Sequence, residues 1–152
     1  DISKLEGLLA KPGSWVVSIL SAANVLRGER QVLAFPDLRP NRPVVKAGEV
    51  LASTTIEGDL TALEPVSRRL NLLLAAAYAR AQRQGTLVEG LQFDAASFKQ
   101  LARELSERQP GQVAQLEALA INSASTADPI AVELRWLAAP APAQSGPGPR
   151  RP

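Results

Sequence analysis

The chain has 152 residues, 45% of them hydrophobic and 21% charged, which is enough apolar material for one core, short for two, and unlike a disordered segment. Its net charge is +2, an excess that Arg150 and Arg151 supply by themselves, so the remaining body lacks the broad positive field that drives counterion release from nucleic acid. Cysteine and histidine are absent, which excludes thiolate nucleophiles, disulfides, Cys/His zinc sites and histidine general bases.

The chain opens on Asp1 rather than methionine, as a processed product or a segment of a longer protein would. Ile2, Leu5, Leu8 and Leu9 recur at helical spacing and Pro12-Gly13 stops the run, so a short helix is expected first. Trp15 to Leu26 reads two ways. Ser14 could cap a helix carrying Trp15, Ile19, Ala22 and Leu26 on one side, or Trp15 to Leu20 could form a buried strand; the helix is preferred. Gln31 to Phe35 is a short strand closed by Pro36, and the three prolines of residues 36–43 mark an extended loop. Val44-Val45, the turn Lys46-Ala47-Gly48-Glu49 and Val50 to Ile56 have the composition of a hairpin.

Thr61 and Glu64 match a capping box, Pro65 fits a first helical turn, and Gly85 supplies a stop. A helix is therefore expected from Ala62 to Arg83, burying Val66, Leu70, Leu73, Leu74, Ala77 and Ala81. Thr86 to Phe93 alternates like a strand. Asp94 then caps a second helix with Phe98, Leu101, Ala102 and Leu105 as its stripe, ended by Pro110-Gly111. Val113 to Ile121 and Ile130 to Leu137 suit antiparallel strands, separated by a loop rich in turn formers, although Gln115 to Ala120 also tolerates helix. The order from residue 50 is then β, α, β, α, β, β. It predicts an α+β fold, a small antiparallel or mixed sheet with helices on one face, of which a ferredoxin-like arrangement is one form. Residues 1–138 make the domain, and 139–152 a flexible tail rich in Pro, Ala and Gly. No run reaches the roughly 18 to 20 apolar residues that span a bilayer.

Four groups of residues carry candidate chemistry. Arg68, Arg69, Arg80 and Arg83 fall within about a third of a turn of one another on the long helix, a face suited to phosphates or an acidic partner, or simply to solvent. Arg27, Arg30, Arg39, Arg42 and Lys46 form a second basic concentration with only Phe35 nearby for stacking on bases, so charge protecting a strand edge explains it more cheaply. Trp15 and Trp136 are either core anchors or interface anchors. Glu57 and Asp59 could share a divalent cation on a strand, or favour the positive end of the next helix. No phosphate-cradling Gly-rich loop, nucleophile elbow or metal-ligand spacing is present, so neither cofactor nor metal is expected. The tail residues Pro147-Gly-Pro-Arg-Arg-Pro152 have the form of a ligand for Pro-recognition grooves, or of a spacer.

Pro43-Val-Val-Lys-Ala-Gly-Glu-Val-Leu51 resembles one arm of the lipoyl-like hairpin of periplasmic adaptor proteins, without the second arm or a modified-lysine context. Thr54 to Leu137, with Ile-Glu-Gly-Asp-Leu before one helix and Phe93-Asp94 before another, resembles the ferredoxin-like periplasmic domains of pilus and secretion assembly platforms. That resemblance implies a non-enzymatic scaffold pairing with a homologue through helices or strand edges, with a membrane anchor before Asp1. The expected function is accordingly a protein–protein interaction or assembly subunit of a bacterial complex. Its partners are proteins, including other copies of the chain; Trp15, Arg39, Arg42, Trp136, Arg150 and Arg151 are its candidate interface, and nucleic-acid binding through the arginine face is the alternative.

Overall fold

The computed structural model describes residues 2–21 and 33–139. The elements are α1 (Ile2–Leu9), β1 (Trp15–Ser21), β2 (Ala34–Pro40), β3 (Pro43–Val45), β4 (Val50–Ile56), α2 (Leu63–Gln84), α3 (Ala95–Ser106), β5 (Ala114–Ala120), β6 (Ala124–Ser125) and β7 (Val132–Ala138). They form an α+β fold with three small antiparallel sheets: β1 with β2, β3 with β6, and a three-stranded sheet in the order β4-β5-β7. The tail expected from residue 139 lies outside the described residues from 140 onward, as do Ala22 to Val32.

The three-stranded sheet has one apolar face. Its register aligns Ala52, Thr54 and Ile56 with Ala118, Leu116 and Ala114, and these in turn with Leu134, Trp136 and Ala138. The small residues of β5 let the helices approach closely. α2 places Val66, Leu70, Leu73, Leu74, Ala77 and Ala81 on this face, and α3 adds Leu101, Ala102 and Leu105. Burying apolar surface is worth roughly 25 cal/mol per Å², so this interface is the main source of stability. The opposite face carries Ser53, Thr55, Gln115, Glu117, Glu133 and Arg135, with Arg135 donating to Glu117 at 3.2 Å.

The caps at Gly85 and Asp94 behave as the residue types dictate, whereas α3 ends at Ser106, ahead of the Pro110-Gly111 expected to stop it. Gly85 closes α2 in the left-handed conformation at φ 111°, and Asp94 accepts the Ser97 N–H at the start of α3. The capping box does not form. Ala62 is the N-cap with no side-chain bond, and the Glu64 carboxylate accepts instead from Arg68 at 2.8 Å.

Several expectations are corrected. Trp15–Ser21 is a strand, not a helix, because Val16, Val17 and Ile19 are β-branched and pair with a second extended segment. That partner, β2, runs through Pro36 and Pro40, which were expected in a loop. The Asn41 N–H donates to the Ser14 carbonyl at 2.8 Å, so the ladder uses the odd positions of β2 and both prolines fall where their nitrogens point away from β1.

The hairpin expected at residues 44–56 is likewise absent. The turn exists, with Gly48 at φ 84°, but β3 pairs with β6 and β4 with β5. The turn's own amides explain it: Gly48 donates to the Ala120 carbonyl at 2.7 Å and Ala47 to Ser123 Oγ at 2.9 Å, binding the turn to the far end of β5. Thr86 to Phe93 is a pinned loop rather than a strand. Leu87 donates to Thr126 and Val88 to the Thr86 hydroxyl, leaving a single parallel bridge from Gln92 to Ala131. Without a strand there, α2 and α3 follow one another directly and pack together, and the element order differs from a ferredoxin-like one.

Candidate protein interface

Every buried apolar side chain among the described residues lies between Val44 and Val132. Helix α1 and the β1–β2 hairpin therefore contribute nothing to the core, and the two strands contact chiefly each other. Their register sorts the hairpin into two unlike faces. One carries Trp15, Val17 and Ile19 opposite Pro40, Leu38 and Pro36 and holds no polar side chain over these three pairs; the other carries Val16, Ser18 and Leu20 opposite Arg39, Asp37 and Phe35. Arg39 donates to Asp37 at 2.8 Å on that second face. On the apolar face Ile19 is 75% exposed and Val17 54%, while Trp15 and Leu38 are half-buried at its base.

Trp15 is thus part of an apolar surface rather than of the core. Its indole Nε1 and the Oδ1 of Asn41 are both buried without a hydrogen-bond partner among the described residues. Trp136 goes the other way, lying half-buried on the inner face of the sheet against the core. Arg39 is on the hairpin. Arg42 is held by its backbone, donating to Thr126 Oγ1 at 3.0 Å and accepting from the Thr126 N–H at 3.0 Å, with an exposed side chain. Arg27, Arg30, Arg150 and Arg151 lie outside the described residues.

The four arginines of α2 do share one flank, but carboxylates interleave with them. Arg68 pairs with Glu64, and Arg69 donates both to Glu57 at 3.3 Å and to the Thr55 carbonyl at 3.1 Å. Arg80 lies close enough to Glu49 to help hold its carboxyl below the ordinary value, after the larger effects of the Lys46 N–H and the Gln84 amide. Arg83 has no ion pair among the described residues. Glu57 is therefore engaged by an arginine rather than paired with Asp59, and no cluster of three potential ligands for a metal ion occurs among the described residues.

One functional side chain of the fold was not anticipated at all. Arg108 is 7% exposed and donates to three carbonyls, of Leu105 at 2.6 Å, of Gln112 at 2.8 Å and of Glu57. It ties the end of α3 to the loop after β4. In the sequence it sits in a polar stretch at a helix end, where nothing marks it as buried.

The class of protein is set by the helix pair covering one face of an antiparallel sheet. The chain belongs to the family described as the DUF3084-associated C-terminal helical hairpin, which matches residues 45–139 and so takes in α2, α3 and every strand of the three-stranded sheet. It is similar to the uncharacterized protein alr4393 of Nostoc sp. (strain PCC 7120), 37% identical over 122 residues that make up 79% of this chain and 23% of that protein. The chain thus matches under a quarter of that relative's length. No solved structure matches it. Among the described residues no helix is long and apolar enough to cross a membrane.

Proposed function

We propose that this chain is a non-enzymatic protein-interaction module, an assembly subunit of a larger complex, and that a protein partner seats on the apolar face of the β1–β2 hairpin. The observation that carries this reading is the exposure of Val17 and Ile19 on a face with no polar side chain over three cross-strand pairs. A two-stranded hairpin gains little stability alone in water, and apolar area left open in this way is the usual mark of a contact surface. The narrower expectation of a pilus or secretion assembly platform loses support, since the ferredoxin-like order behind it is not the one observed. Binding of nucleic acid by α2 has less support, since Glu49, Glu57 and Glu64 lie among its arginines.

The test is photo-crosslinking from the intact chain in its native extract. A photoreactive residue replacing Ile19 should give discrete protein adducts that V17D abolishes, whereas one replacing Ser53 on the polar sheet face should give none. No adducts from position 19, or the same adducts from both positions, would refute the reading.

A further inference from the structure

The two edges of the three-stranded sheet are treated differently. On β4, the residues that point away from β5 are Ser53 and Thr55, and the Arg69 guanidinium donates to the Thr55 carbonyl at 3.1 Å, blocking that edge. On β7, the ladder to β5 uses the odd positions, continuing from the Ile121 N–H to the Ala131 carbonyl at 2.8 Å and to the Ala139 N–H on Val113 at 2.9 Å. The even positions face outward. Val132 is satisfied there, donating to the Gln92 carbonyl at 2.8 Å, but the chain then turns away at Phe93 into α3. Leu134 and Trp136 consequently present their N–H and C=O groups on an edge with no neighbouring strand among the described residues.

Beside this edge lies a cavity of about 420 Å³, lined by Phe93, Phe98, Val132 and Leu134 among others. The two phenylalanine rings stand 5.8 Å apart. Asp94 and Glu133 also line it, and no cationic side chain among the described residues does. The one cation of β7, Arg135, shares the polar face of the sheet with Glu133 and is engaged there by Glu117.

We propose that the β7 edge is a peptide-binding site that takes an extended segment of a partner protein as a fourth strand, with an apolar side chain in the Phe93–Phe98–Leu134 cavity and a basic side chain against Asp94 and Glu133. The extended backbone is required by the outward N–H and C=O groups, which only another strand satisfies in series. Alternation does the rest, since successive side chains of an added strand fall on opposite faces and an apolar–basic repeat places each where it is wanted. The negative rim selects against acidic segments and raises the encounter rate with basic ones. This site is separate from the hairpin face and does not depend on it.

The test uses the full chain and two fluorescein-labelled peptides, Thr-Val-Lys-Val-Arg-Val-Thr and its counterpart with both basic residues replaced by Glu. Anisotropy should show binding of the basic peptide at least tenfold tighter than of the acidic one, reduced about tenfold by E133K and unaffected by V17D. Amide exchange should show the Leu134 and Trp136 N–H groups exchanging freely in the unbound chain and protected when the peptide is present, while Ser53 stays unchanged. No binding of the basic peptide, equal binding of both, or binding without protection at Leu134 and Trp136 would overturn the proposal. Protection of those amides that rises with protein concentration in the absence of peptide would overturn it too, in favour of a second copy on the edge.

Discussion

Arg108 shows how a single side chain can hold a junction. A buried guanidinium without a carboxylate partner is costly unless its donors are met, and here three carbonyls from two segments meet them. R108A should cost about 3 kcal/mol in urea unfolding, since it removes charge-assisted bonds and strands the carbonyls. R108K should recover little, because an ammonium lacks the planar fork that reaches all three. Next to it, Gly58 is confined by the backbone of Gly111: a Cβ there would overlap the Gly111 carbonyl. G58A should therefore destabilise by on the order of 2 kcal/mol, read by the same measurement. If G58A melts with the parent, the two loops are not in close backbone contact. Trp15 makes the opposite case. Its Nε1 has no hydrogen-bond partner among the described residues to lose, so W15F should leave the unfolding midpoint unchanged within error.

At the scale of the element, the apolar stripe of α2 was legible residue by residue, because a 3.6-residue period over 22 residues leaves no competing pattern. L70A, at a position with no solvent exposure, should cost about 2–5 kcal/mol. The exposed Leu72 should tolerate Glu at well under 1 kcal/mol, roughly the scale of surface substitutions. Strands were legible where they alternate or run apolar, as in β5 and β7. They were misread where the deciding bonds come from distant residues. The turn at Gly48 has a hairpin's composition, yet Ala120 and Ser123, more than 70 positions away, claim its amides. Likewise β6 is two residues long and exists because Thr126 and Arg42 meet, which no local signal announces.

For the whole molecule, the core begins at Val44, so the chain divides into a packed body and an N-terminal arm that does not share its hydrophobic centre. Removal of residues 1–40 should shift the thermal midpoint of the body by less than about 4 °C, the equivalent of roughly 1 kcal/mol or less, while abolishing crosslinks to a hairpin partner. A collapse of the transition would show that the arm is structural. Acid should act on the body through two carboxyls. Ser97 holds Asp94 below its ordinary 3.8, through its side chain and then its backbone, and the Lys46 N–H followed by Gln84 holds Glu49 below 4.5. A depressed folded value means that the stabilisation is complete above the unfolded values and is lost as pH falls through the folded ones. Midpoints should therefore stay level from neutral pH to about 5 and drop below about 4, with D94N and E49Q each flattening the decline.

Residue type and spacing by themselves determined the α+β class, the two long helices with their buried faces, the Gly85 stop, the Asp94 cap and the exclusion of cysteine and histidine chemistry. These are local properties, set within one or two turns of chain, and a sequence displays them directly. Tertiary structure alone decided which strands pair, that Trp15 belongs to an open apolar face while Trp136 packs against the core, that Arg69 guards one sheet edge, and that the other edge beside Phe93 and Phe98 has no neighbouring strand among the described residues. Each of these depends on which distant backbone groups compete for the same hydrogen bonds and which apolar faces find a cover, and that competition is settled only when the whole chain has packed.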